Sequence, residues 1–157
     1  MTSDLDRPTR GGSFGKAPAE LLLRLGEVVG PHREVPGWAT VDLDRAESAL
    51  VDDRGQPPVA TSVEDHLLGA RGRYLRLADG QETVLLEPST EGRLAAALAR
   101  HGEGPLATFV LAGPDAERDA RDAGLEMTAL AAGPFGPERL LLGGPRWGPF
   151  FILVSGY

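Results

Sequence analysis

From Pro18 onward the apolar positions fall at helical spacing. Leu21, Leu22, Leu25, Val28 and Val29 share one face, Pro18 suits a first turn, and Gly30-Pro31 stops the run. A helix over 18–30 is predicted. Residues 1–17 carry few apolar side chains and several glycines, the pattern of a flexible tail. Val35 to Val41, with Trp38 inside it, reads as a strand, and Asp42 or Asp44 caps a helix running to about Asp52. Asp53 to Pro58 is a turn, followed by a short strand from Val59 to Val63. Arg71 to Leu77 alternates, Ala78-Asp79-Gly80 turns the chain, and Glu82 to Glu87 returns as the second arm of a hairpin. Ser89 or Thr90 caps a helix to about His101, ended by Gly102.

The second half repeats this plan. Leu106 to Ala112 is strand-like, Pro114 and Asp115 open a helix that Gly124 closes, and Leu125 to Leu130 is a short strand. Leu140 to Leu142 and Phe150 to Val154 make a last hairpin around Gly143-Gly144-Pro145. The expected organisation is a tail (1–17), an N-terminal helix (18–30), a first β-α-β-β-β module (33–88), a connecting helix (89–104) and a second such module (105–157). It is a duplication of plan, not of sequence identity. The fold class is α+β: two β-α-β-β-β modules forming a curved, eight-stranded mixed sheet with helices outside.

Composition narrows the chemistry. At 157 residues and 41% apolar content the chain can bury a core. No apolar run approaches the roughly 20 residues that span a bilayer, and residues 1–16 lack a signal-peptide core. A net charge of −7 argues against nucleic-acid or anionic-membrane partners. With no cysteine there is no disulfide, thiolate metal site or Cys nucleophile. One lysine stands against 15 arginines, Ile152 is the only isoleucine and asparagine is absent, a bias that GC-rich codons explain without any function. Gly11 to Lys16 lacks P-loop spacing and a preceding strand, and no nucleophile-elbow pattern surrounds any serine.

Three stretches carry a resemblance. Gly37 to Ala46 reads GWATVDLDRA, Val84 to Pro88 reads VLLEP and is followed by a short helix and Gly102-Glu103-Gly104, and a closing hairpin reaches Phe151-Ile152-Leu153. In this order and spacing, over residues 35–154, the chain resembles the vicinal oxygen chelate superfamily. That group includes glyoxalase I, methylmalonyl-CoA epimerase, extradiol dioxygenases and bleomycin-type resistance proteins. The local likeness is to the epimerase-like branch. The resemblance implies a cytoplasmic homodimer. The superfamily's enzymes usually hold a divalent metal on four inward ligands, and the matching positions here are Val35, Val84, Leu106 or Ala107, and Ile152. Valine, leucine, alanine and isoleucine offer no donor atom, so the expectation is no metal and no cofactor. A site rebuilt from His32, His101, Glu34, Glu82 and Glu103 is disfavoured, because both histidines read as loop or helix-end residues.

Two titratable residues are weak catalytic candidates. His66 follows two acids just before the strand that borders the catalytic carboxylate in the epimerases, and Glu82 shares strand parity with Val84. Each also reads as an exposed charge, and Glu87, of opposite parity, points away. If the former ligand positions face a pocket, Phe109 and Phe150 line it beside Val35, Val84, Ala107 and Ile152. Trp147 lies close by, and Arg73, Tyr74 and Arg139 stand at the mouth. Such a pocket suits a hydrophobic small molecule. The first reading is metal-independent binding, as in resistance by sequestration. The alternative is a metal-independent isomerase or cyclase of secondary metabolism. A buried carboxylate or imidazole of shifted pKa inside the pocket favours the alternative, a wholly apolar pocket favours binding, and no pocket at all favours a non-catalytic structural or regulatory relative.

Overall fold

The computed structural model describes residues 6–51 and 55–157, with side chains from Pro18 onward. Twelve elements follow in order: α1 (Asp6–Val29), β1 (His32–Ala39), α2 (Leu43–Ser48), β2 (Val59–Asp65), β3 (Ala70–Arg76), β4 (Glu82–Pro88), α3 (Arg93–His101), β5 (Gly104–Ala112), α4 (Ala116–Asp122), β6 (Ala131–Gly133), β7 (Gly136–Leu140) and β8 (Phe150–Ser155). The strands form one eight-stranded mixed sheet in the order β2-β3-β4-β1-β5-β8-β7-β6. β1 runs parallel to β4 and β5 parallel to β8, while β1 and β5 pair antiparallel at the centre. Each half therefore has the same strand arrangement, mirrored across the β1–β5 seam. The sheet curls until its two edges meet, where the His66 N–H donates to the Ala132 carbonyl at 2.9 Å.

Strand alternation sorts the side chains onto two faces. Inside the curl, Val35, Val84, Leu86, Phe109, Leu140 and Ile152 are buried in one cluster, which Leu94 and Ala97 of α3 join from the end. Outside, Leu25 and Val29 of α1 and Ala116 and Ala120 of α4 cover Val110, Phe151 and Leu153. α2 lays Leu43 against Leu75 and Leu85. Helices α1, α2 and α4 thus lie outside, as the pattern predicts, while α3 closes one end of the cup.

Several boundaries move. The helix begins at Asp6, where a tail to residue 17 is expected, with Pro18 inside it; residues 1–5 lie outside the described residues. Once Leu25 and Val29 anchor a helix to the sheet, extending it adds one backbone bond per residue, and this outweighs weak local propensity. Asp53 and Arg54 of the expected turn also lie outside the described residues. Asp42 caps α2, accepting from the Arg45 N–H at 3.1 Å. α2 ends at Ser48, short of Asp52. Neither Ser89 nor Thr90 caps α3; Gly92 holds that position without a side-chain bond. The strand expected over 125–130 is reduced to a bridge between Met127 and Leu141, and the paired segment is β6, residues 131–133.

Candidate functional site

Val35, Val84, Ala107, Phe109 and Ile152 all face the cup and are at most 2% exposed. The four positions that would hold a metal bring only hydrocarbon together, so they do not fit one. Nor do three His, Asp or Glu side chains gather into a metal-ligating group anywhere among the described residues. Packing at the cup's centre is tight. A Cβ on Gly37 would lie 2.9 Å from the Ala107 Cβ and 3.2 Å from both Leu86 and Phe109, so only glycine fits between these neighbours.

One ring is lent to this interior by a turn. Phe135 sits between β6 and β7, half-buried, with its ring edge-on to Tyr74 (centroids 5.5 Å apart), Phe109 (5.5 Å) and Tyr157 (6.2 Å). These are favourable edge-to-face contacts, and the Phe135 ring fills the space among the three others. The turn is held by strand pairing and by one side-chain bond. β6 has three register pairs with β7, and the Tyr157 hydroxyl donates to the Phe135 carbonyl at 3.1 Å.

Two carboxyl groups lie in this interior. Asp65 ends β2 and Glu138 lies in β7, and both are fully buried. Asp65 Oδ1 accepts from the Leu68 N–H at 2.9 Å. Asp65 Oδ2 and both Glu138 oxygens have no donor. Two carboxylates cannot bond one another, but two carboxyl groups sharing one proton can. Burial, then the hydrogen bond to Asp65 and the charge beside it, pushes Glu138 up to about 10. Burial also raises Asp65, opposed by hydrogen bonds from Glu138 and backbone N–H groups. Glu138 therefore keeps its proton at neutral pH and has it to donate to Asp65. Two oxygen ligands in an apolar wall fall short of a metal's donor set. Gly133 covers the pair: a Cβ there would overlap the Glu138 carboxyl.

The sequence candidates separate. Glu82 does face inward at the open end, its side chain 13% exposed, but its Oε2 accepts from Tyr74 at 2.7 Å and from Arg33 at 3.1 Å. Its inward oxygen is therefore already engaged by two donors. His66 is exposed and sits 3.4 Å from the exposed Glu64. Of the expected mouth residues only Tyr74 reaches the cup. Arg73 lies on the outer face, paired with Asp44 (2.7 Å) and Glu47 (2.8 Å). Arg139, also outward, pairs with Glu117 at 2.7 Å. Trp147 packs beneath the guanidinium groups of Arg100 and Arg146. Phe150 joins the cup cluster and also borders a cleft of about 280 Å³ shared with Arg93 and Arg146. A larger open cleft, about 690 Å³, lies outside the cup between α2 and β2–β3. Arg73 and Arg71 on its wall are already paired with Asp44 and Glu87. Sequence reasoning passed over Asp65 and Glu138. Parity would have found them: Asp65 shares a face with Val63, and Glu138 with Leu140.

No family model matches the chain, and no curated protein matches it. Among solved structures, methylmalonyl-CoA epimerase from Mycobacterium tuberculosis superposes with a TM-score of 0.65 at 19% identity, covering 83% of this chain and 90% of that one. A hypothetical protein from Bacillus halodurans gives 0.63 at 18% identity, over 82% and 96%. A glyoxalase/bleomycin resistance protein/dioxygenase superfamily member from Vibrio splendidus gives 0.40 at 18% identity, over 80% and 99%. The likeness extends over both halves of the chain and is one of fold: this is the vicinal oxygen chelate architecture. No helix among the described residues is long and apolar enough to cross a membrane.

Proposed function

We propose that this fold, with hydrocarbon where its relatives' ligand positions lie, binds a hydrophobic small molecule in the cup without a metal ion. The observation that carries the reading is the aromatic slot. Tyr74, Phe109 and Tyr157 already hold a ring edge-on, and that ring, Phe135, belongs to the turn between the short strands β6 and β7. A ligand ring that displaces Phe135 inherits three edge-to-face partners, each contributing about 0.5–1.5 kcal/mol beyond area burial. The closed form is then the resting state of a self-plugged site, and sequestration needs only that the turn lift. Arg33, Arg76 and Glu82 at the open end give the entrance mixed charge.

The test is an amide-resolved NMR titration with 3-phenylpropionate in the presence of EDTA. The reading predicts saturable shifts at Tyr74, Phe109, Phe135 and Tyr157, and tighter binding by Phe135→Ala, which removes the plug. Absence of shifts, or shifts that need an added divalent metal, would overturn it.

A further inference from the structure

Acids outnumber bases in this chain by 23 to 16. Every arginine of the strands is matched to one of them: Arg33 and Arg76 to Glu82, Arg71 to Glu87, Arg73 to Asp44 and Arg139 to Glu117. The α3 end of the molecule departs from this. Arg93 and Arg100 of α3 and Arg146 of the β7–β8 loop gather there, and no carboxylate of a described residue pairs with any of the three. Arg93 donates to the Leu67 carbonyl at 3.0 Å. The guanidinium carbons of Arg100 and Arg146 lie 5.1 and 4.6 Å from the centre of the Trp147 ring. The ring attracts both cations, but it also holds two like charges near each other, and only a negative charge relieves their repulsion.

These cations border a cavity. Arg93 and Arg146 line the cleft of about 280 Å³ under the β7–β8 loop, together with Leu141, Phe150 and Phe151. The last three are 4% exposed, so the cleft is hydrocarbon at its base and cationic on its walls. Its size is just below the range of about 300–1,000 Å³ usual for small-molecule sites, which sets a small occupant.

We propose that this cleft is a binding site for a small carboxylate with a short apolar tail, separate from the cup and independent of the binding reading above. The carboxylate lies between the Arg93 and Arg146 guanidinium groups, whose planar forks suit its two oxygens. The tail lies against Phe150 and Phe151. Trp147 and Arg100 act through Arg146: the indole fixes its guanidinium plane, and Arg100 adds positive field. A neutral molecule of the same shape leaves the cations unmatched, and a compact inorganic anion leaves the hydrocarbon base wet.

The test follows Trp147 fluorescence in Trp38→Phe protein, which leaves Trp147 as the only tryptophan, titrated with hexanoate in 0.15 M sodium chloride. At that salt, attraction beyond about 8 Å is screened and contact is what remains. The inference predicts a saturable change, weakened on the order of tenfold or more by Arg93→Gln and by Arg146→Gln and unaffected by Arg118→Gln, an exposed arginine of α4. 1-Hexanol and sulfate should each bind at least about tenfold more weakly than hexanoate, since each lacks one half of the match. Circular dichroism checks folding. If Trp38→Phe does not fold, amide-resolved NMR of the wild-type chain replaces fluorescence, with saturable hexanoate shifts expected at Arg93, Arg146, Trp147 and Phe151. No saturation, or equal binding after both Arg93→Gln and Arg146→Gln, overturns the inference. Sulfate binding as tightly as hexanoate overturns it in favour of a general anion patch, and hexanol doing so in favour of an apolar crevice. Phe135→Ala, which opens the cup, should leave hexanoate binding here unchanged; a gain would place the hexanoate in the cup and overturn the second site.

Discussion

Two glutamates in the second half of the chain each reach across to the first half, and they do so in opposite states. Glu103, just before β5, accepts from the Val41 N–H (2.8 Å), the Thr40 hydroxyl (3.0 Å) and Arg45 (2.6 Å), and those donors hold its carboxyl below the usual range. Glu138 meets only another carboxyl group inside a hydrocarbon wall, and burial raises it. The first bond works because the group is charged, the second because it is not. One sheet therefore carries an ordinary electrostatic joint on its rim and a proton-dependent one in its interior.

The strongest way to break this contrast is to hydrate the interior. Phe109→Ala removes the ring at the centre of the cup and should cost about 3–5 kcal/mol in urea unfolding. Water entering the space should also bring Glu138 down toward an ordinary carboxylate. A cost under about 1 kcal/mol would mean the cup is not packed as described.

The next effect is one of pH. The folded chain keeps the Glu138 proton while the unfolded chain's carboxyl ionises, so the unfolded state binds fewer protons and stability falls as pH rises. That contribution is fully present below about 4.5 and is lost progressively toward about 10. Glu103 works with the opposite sign: its contribution is present above its unfolded value and is lost as pH falls through the depressed folded one. Thermal melts from pH 5 to 9 should show a downward slope that Glu138→Gln flattens. Equal slopes in the two proteins would remove the proton from the seam.

Smaller changes sharpen the rim. Asp42→Ala deletes the α2 cap beside the Thr40–Glu103 cluster and should cost about 1 kcal/mol, read as a lower denaturation midpoint with an unchanged slope. The smallest effect belongs to Glu103→Gln, which loses the exposed Arg45 pair. Its melting point should drop slightly at low salt and match wild type at high salt, where an exposed pair is screened.

Much of the fold was legible because it is written in alternation. Val35, Gly37 and Ala39, Val84 and Leu86, and Phe150 and Ile152 each announce an inward face at steps of two residues, and the hairpin at Ala78 to Gly80 stands where its turn residues lie. The second half was harder. Leu125 to Leu130 is as apolar as a strand, but its pairing with Leu141 is a single bridge. The short β6 is Ala-Ala-Gly, with no strand signature. The start of α1 was illegible for a related reason: Gly11, Gly12 and Gly15 have low propensity, and tertiary anchoring downstream is invisible locally.

Of the candidate site residues, the structure gathers Val35, Val84, Ala107 and Ile152 in one apolar cluster with Phe109 and Phe150. Nothing in their local sequence sets the buried carboxyls of Asp65 and Glu138 apart from exposed acids, whereas His66 and Glu82 stand in a more familiar neighbourhood. Asp65 sits one residue from His66, and that single step turns it to the opposite face of the sheet. Arg73 and Arg139 fail as mouth residues by the same parity, each adjacent to an inward residue, Tyr74 and Glu138.

The account turns on one proton. Carbon-13 NMR of the side-chain carboxyls, assigned through Asp65→Asn and Glu138→Gln, would follow both groups from pH 3 to 11 in the same sample. The account predicts that Glu138 stays protonated through neutral pH and titrates near about 10, with Asp65 titrating above the ordinary aspartate range. Both carboxyls titrating together in the ordinary range near 4 would contradict it.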